Sequence, residues 1–98
     1  MRIEFTNEAN NDISSIYNFI SKDCHEIAKK QVAKIKAKAL LLENISDLGT
    51  ALYRGNKKTN LRKLLSKPYI IFHEVFEDYI KIIRVLDGRR DYMRVLFG

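Results

Sequence analysis

The chain opens on an alternation. Ile3 and Phe5 stand between Arg2, Glu4 and Thr6, which predicts a short strand over Arg2–Phe5. The period then changes. Ala9, Ile13, Ile16, Tyr17 and Ile20 recur at helical spacing, with Phe19 beside the stripe. Asn10, Asn11, Asp12, Ser14, Ser15 and Asn18 fill the other face, and Thr6 or Asn7 is placed to cap the helix. A second stripe follows in Ala28, Val32, Ile35, Ala39 and Leu42. Asp23 with Glu26 three residues on has capping-box spacing. Two helices joined by so few residues predict an antiparallel hairpin.

Beyond the hairpin the pattern breaks. Residues 46–60, punctuated by Gly49 and Gly55, read as an irregular loop. Leu61–Leu65 reads as a short strand ended by Ser66-Lys67-Pro68. Tyr69–Val75 and Tyr79–Leu86 are rich in β-branched and aromatic residues and read as longer strands. Asp87-Gly88 ends the last of them. The tail from Arg89 carries Tyr92, Met93, Val95, Leu96 and Phe97, enough apolar surface to dock back as a strand or short helix. The predicted architecture is α+β: an N-terminal strand and a helical hairpin packed on a small antiparallel sheet, in the order β-α-α-β-β-β with a short C-terminal element. The first strand must join the sheet to pair its backbone, and the sheet face away from the helices is expected to lie open.

Ninety-eight residues are expected to form a single domain spanning 1–98. No apolar run approaches the length of a membrane span or a signal sequence, and the lone Cys24 cannot form an internal disulfide, so a cytoplasmic location is expected. Eighteen Lys and Arg against twelve Asp and Glu give a net charge of +6, which attracts phosphates or an acidic partner. The excess is uneven. Residues 1–46 hold seven basic and six acidic side chains, whereas residues 47–98 hold eleven and six. Between Arg54 and Lys67 lie Lys57, Lys58, Arg62 and Lys63 and no acid at all.

Candidate chemistry concentrates on these cations. Strict alternation places Ile80, Ile82, Arg84 and Leu86 on one strand face, and an Arg among apolar neighbours needs an anion or a solvated groove. Meander pairing would bring Arg62, Arg84 and Arg90 toward one end of the open face. Arg62, Lys63, Arg84, Arg89 and Arg90 are therefore the candidate target-binding residues. The alternative is that Arg84 pairs with a local acid such as Asp87 or Glu74. His73 lies mid-strand, with Glu74 pointing to the opposite face, so the two make no dyad. No glycine-rich phosphate cradle, catalytic triad or metal-ligand spacing is present, and neither metal nor cofactor is expected. The groove beside Ile16, Phe19 and Ile20 is the candidate docking site for an acidic partner segment.

The segments Arg62-Lys63-Leu64, Tyr69 through Val75 and Ile80 through Asp91 resemble the C-terminal signature of the ParE/RelE superfamily, the toxins of type II toxin–antitoxin pairs. Phe5-Thr6, Ala9, Asp12-Ile13, Ile16-Tyr17, Ile20, Ala28 and Leu48-Gly49 extend the likeness through the N-terminal half. The resemblance implies a helical hairpin on an antiparallel sheet, and a cognate acidic antitoxin that wraps the toxin. It also implies one of two activities. RelE-like members cut messenger RNA in the ribosome with clustered Arg and Lys and often a C-terminal Tyr or His, without a metal. ParE-like members lack the full catalytic set and poison DNA gyrase. Arg62 and Arg90 match basic RelE positions, and with Tyr92 they are the catalytic candidates on that reading. Several positions depart from it: Ile70 stands where RelE-type toxins often carry Arg, Leu96 where they place Tyr, and His73 where an aromatic is usual. The ending from Arg90 to Phe97 looks more like a ParE tail. The expectation is a ParE-like gyrase poison, monomeric or dimeric when free; the alternative is a ribosome-dependent endoribonuclease.

Overall fold

The computed structural model describes residues 1–98. Strand β1 spans Arg2–Phe5, helix α1 Asn7–Ser21 and helix α2 His25–Leu40, followed by a 3₁₀ turn at Leu41–Glu43. Strands β2 (Thr50–Arg54), β3 (Lys57–Ser66), β4 (Tyr69–Val75) and β5 (Tyr79–Asp87) come next, and a one-and-a-half-turn helix, α3, closes the chain at Tyr92–Phe97. The sheet order is β1-β5-β4-β3-β2. β2 to β5 form an antiparallel meander, and β1 joins its β5 edge in parallel, Ile3 opposite Ile80 and Phe5 opposite Ile82. The helical hairpin is pinned at its turn, where the Tyr17 hydroxyl lies 3.0 Å from a His25 ring nitrogen and the two rings meet edge to face.

Four sequence expectations need correction. The stretch 46–60 is not a loop throughout: β2 forms there and β3 starts at Lys57, because Leu52 has an apolar side chain to bury once the β2–β3 hairpin closes at Gly55. Helix α2 starts from Cys24 with no side-chain cap, so Asp23 and Glu26 form no capping box; the Asp23 and Cys24 N–H groups instead bond to the Ile20 carbonyl. The sheet face away from the hairpin is not open. On the hairpin side Ala9, Ile13, Ile35, Ala39 and Leu42 pack against Leu64, Ile71, Ile80, Ile82 and Val85. On the far side Leu52, Ile70, Phe72 and Leu86 are covered by Leu61 and by Tyr92, Met93, Val95, Leu96 and Phe97 of α3.

The fourth correction concerns alternation in β5. Phe72 pairs with Arg84 but His73 pairs with Ile82, so Ile83 is an extra residue, a β-bulge. The bulge shifts the side-chain parity. Ile80 and Ile82 belong to the hairpin-side core, while Leu86 belongs to the α3-side core. Past Ile82, β5 has no strand on its outer side, because β1 ends there. The start of α1 supplies the missing partners. Thr6 donates its backbone N–H to Ile82 O at 3.0 Å and its hydroxyl to Ile83 O at 2.7 Å, while that same hydroxyl oxygen caps α1 by accepting from Ala9 N at 3.0 Å.

Candidate functional site

Arg84 is drawn into a part-buried ion pair by the fold. Its Nε and Nη2 donate to the two carboxylate oxygens of Asp12 on α1, at 2.8 and 2.9 Å, a bidentate pair. Asp12 also accepts from the Val85 backbone N–H at 2.9 Å, so one carboxylate closes the exposed edge of β5 and anchors a guanidinium. Asp12 raises the Arg84 pKa above its ordinary value by hydrogen bonding. Arg84 therefore does not project from a sheet face; it is a local ion pair, made with neither Asp87 nor Glu74 but with an acid 72 residues earlier. Nothing in the local sequence around Asp12 signals this, since it lies among other polar residues of a helix face.

Arg89 and Arg90 follow β5. Arg89 donates from Nε and Nη2 to Asp87 at 2.9 and 2.6 Å and from its backbone N–H at 2.9 Å. These bonds, the guanidinium's first, hold the Asp87 carboxyl down at about 2. The Arg89 side chain stays 77% exposed, so its charge remains available to a second anion. Arg90 carries no ion pair. Both line a groove of about 340 Å³ between α1 and the end of β5, together with Asp12, Ile16, Phe19 and Tyr69. Phe19 is 71% exposed. Two expected docking residues, Ile16 and Phe19, thus share one groove with two expected target-binding residues. Ile20 is half-buried and is not part of that lining.

Arg62 is elsewhere. Its Nη2 donates to the carbonyls of Asp47 and Gly49, at 2.9 and 3.0 Å, in the segment leading into β2. The ladder pairs Arg62 with His73 and His73 with Ile82, whereas Tyr69 pairs with Asp87. Those two rows are four residues apart along β4, roughly 13 Å. Arg62 and the pair Arg89–Arg90 therefore sit at different levels of the sheet, and the expected convergence of Arg62, Arg84 and Arg90 does not occur. Lys63 pairs with Phe72 and shares its α3-side face. Tyr92 packs on that same face, its ring 5.2 Å from Phe72.

His73 is fully buried, and neither ring nitrogen has a hydrogen-bond partner. Burial, the largest effect, pushes its pKa below 6.5, and the positive charge of Arg62 adds to the lowering. A neutral buried imidazole whose unfolded form gains a proton loses stability as the medium acidifies. The full contribution is present above the unfolded value of 6.5 and is lost as pH falls below it toward the folded value. Urea denaturation is expected to show a loss of up to about 1.4 kcal/mol for one pH unit below that point. His73→Phe is expected to remove the slope in this window; an unchanged slope would assign the acid sensitivity to other groups.

The residues that sequence reasoning did not single out as pairs or partners are Asp12, Arg54 and Arg94. Arg54 lies over the Phe97 ring, 5.0 Å from its centroid, which requires α3 to fold back on the sheet. That contact joins residues 43 positions apart and leaves no periodic signal.

A family model described as the ParE toxin of type II toxin–antitoxin system, parDE, matches residues 3–92. Among solved structures, the chromosomal ParDE TA system from P. aeruginosa aligns over 89% of this chain and 95% of that chain, with a TM-score of 0.74 and 24% identity. YafQ from E. coli strain BL21(DE3) aligns over 100% of both chains with a TM-score of 0.57 and 17% identity. A histidine-to-glutamine YafQ variant from E. coli aligns over the same extent with a TM-score of 0.58 and 18% identity. At these identities the likenesses establish the shared fold. No curated protein matches the chain. The strand, helical hairpin and meander built above are thus the scaffold of these proteins, and the match over residues 3–92 carries the assignment: the chain belongs to the ParE toxin family of type II toxin–antitoxin systems, and membership implies an antitoxin partner.

Proposed function

We propose that this toxin arrests growth by poisoning DNA gyrase, without itself cutting a phosphodiester bond, and that a cognate acidic antitoxin neutralises it in the cytoplasm. The observation that carries the choice is the dispersal of the acid–base candidates. Cleavage of a phosphodiester needs a base, an acid and a cation within reach of one phosphate. Arg62 is bound to two carbonyls on the hairpin side of the sheet. Tyr92 packs against Phe72 on the other side. Arg90 lines the α1 groove at the end of β5, and His73 is sealed from solvent.

Target contact falls to Arg89 and Arg90, with Arg84 acting through Asp12 to hold the β5 edge on which they follow. Arg62 and Lys63 would extend the surface only through a target that spans the sheet. The same groove suits the antitoxin: exposed Phe19 and half-buried Ile16 offer apolar area, Ile20 continues their helix face, and Arg89 and Arg90 supply the positive rim. A segment seated there would cover the arginines, so neutralisation by occlusion follows directly from the shared lining.

The reading is tested in a translation extract primed with a defined message, beside a gyrase supercoiling assay. Supercoiling is expected to be inhibited while the message stays intact. New codon-specific message ends would overturn the proposal in favour of a RelE-like ribosome-dependent endoribonuclease. Tyr92→Phe, which removes only a hydroxyl, is expected to retain full growth arrest; loss of arrest in a folded variant would count for the nuclease.

A further inference from the structure

A second basic surface lies on the opposite side of the molecule from the α1 groove. We propose that the groove between β2 and α3 binds the phosphodiester backbone of nucleic acid, a direct contact by this chain that does not depend on gyrase being its target. The groove has a volume of about 450 Å³ and is lined by Arg54, Asp91, Met93, Arg94, Phe97 and Gly98. Arg54 lies on the α3-side face, where its guanidinium meets the Phe97 ring of α3. Lys57 is the cross-strand partner of Arg54, and Lys63 that of Phe72, which places both on the same side. Arg54, Lys57, Lys63 and Arg94 carry no ion pair. The one acidic side chain in the lining, Asp91, is engaged as the cap of α3, accepting from Arg94 N at 3.3 Å.

Two features favour a phosphate chain over an acidic polypeptide. First, the Arg54 guanidinium is held over the Phe97 ring at 5.0 Å, so a flexible cation is fixed before any ligand arrives, and a guanidinium offers the planar fork that pairs with phosphate oxygens. Second, the groove offers little apolar area. Only Met93 and Phe97 of its lining are hydrophobic, and Phe97 is under Arg54. A peptide that binds through an amphipathic face needs more to bury. The cations instead form a strip: Lys57 and Lys63 on β3 pair with Arg54 and Thr50, four residues apart on β2, so the strip covers roughly 13 Å, long enough to meet neighbouring phosphates of one strand.

The test is fluorescence anisotropy of labelled single-stranded and duplex DNA with the full-length chain, at about 50 and 200 mM salt. Binding is expected at the lower salt and a steep loss at the higher. Arg54→Ala/Arg94→Ala is expected to weaken binding at least about tenfold and to reduce the salt slope by about two. Arg94→Ala alone, at an exposed side chain, is expected to reduce it by about one and guards against a folding effect of the Arg54 change. Lys30→Ala/Lys34→Ala removes the same charge from α2 and is expected to change affinity less than about twofold. Equal losses in the two double variants, or no binding at low salt, would overturn the proposal. So would poly-glutamate that displaces DNA at a lower charge concentration and shows the same dependence on Arg54 and Arg94, since that would assign the groove to an acidic polypeptide.

Discussion

Asp12→Ala is expected to lower folding stability by about 3 kcal/mol, which in a domain of this size shifts the melting temperature by roughly 12–24 °C. Two losses combine. The Val85 N–H keeps no partner on an edge that no strand covers, and Arg84 keeps its charge without its counter-ion. The side chains of Arg84 and Asp12 are 26% and 13% exposed, which holds the cost at the lower end of the range for a buried pair. Arg84→Ala is expected to cost less, because the Asp12 carboxylate it leaves behind keeps the Val85 N–H as a hydrogen-bond partner and still closes the edge. The double variant is expected to lose less than the two single losses added, since both remove the same interaction. Urea denaturation of the three variants measures this. A loss under about 1 kcal/mol for Asp12→Ala would mean that α1 does not hold the edge. The distinction matters for function. If Arg84 acts by positioning, any loss of growth arrest in Arg84→Ala should track the fraction folded and return at lower temperature, whereas a residue that touches the target would stay inactive.

Gly49→Ala is expected to cost at least about 3 kcal/mol, through two terms that a single methyl group brings in. The backbone at Gly49 has φ +86°, a conformation that a residue with Cβ pays roughly 1–2 kcal/mol to adopt. The new Cβ would also press directly on the carbonyl oxygen of Lys63, which is backbone and cannot swing aside. Relief would have to come from moving the start of β2 against β3, where Thr50 pairs with Lys63, and would disturb the Gly49 carbonyl that accepts from Arg62. Gly55 provides the control. Its φ is +64°, but a Cβ there meets nothing, so Gly55→Ala is expected to cost only the conformational term, about 1–2 kcal/mol. Thermal melts of the two variants side by side check the difference; equal shifts would contradict the steric argument.

The elements with strong periodicity were legible in the sequence because their cores are local patterns. The α1 stripe, the α2 stripe and the β4 and β5 runs supply the buried core, including Ala9, Ile13, Ile35, Ile71 and Ile82, while Ile16, Tyr17, Ile20 and Val32 of the stripes are half-buried. The C-terminal half of β3 was legible at Leu61–Leu65, but β2 and the start of β3 were not, because Lys57, Lys58, Thr59 and Asn60 are polar and their strand character comes from pairing across the hairpin. The site was legible in part. The residues Ile16, Phe19, Arg89 and Arg90 do share a groove, yet their arrangement with Arg62 and Arg84 was misread for two physical reasons. The bulge at Ile83 changes which face β5 presents, and no alternation rule marks a bulge. The partners of Arg84 and Arg54 lie 72 and 43 residues away, on elements whose docking only the folded chain decides. The small C-terminal helix is the same case in reverse: its apolar residues were visible, but their destination, the second face of the sheet, was not.

The central claim is that this toxin works by trapping gyrase rather than by cutting RNA, and quantifying linear plasmid is the most direct measure of it. Gyrase, supercoiled plasmid and purified toxin are incubated together, protein is digested under denaturing conditions, and linear DNA is counted. The account predicts linear DNA that rises with toxin concentration, is absent without gyrase and is suppressed by Arg89→Ala/Arg90→Ala in a folded protein. Plasmid that remains closed at toxin levels sufficient to stop growth would contradict it.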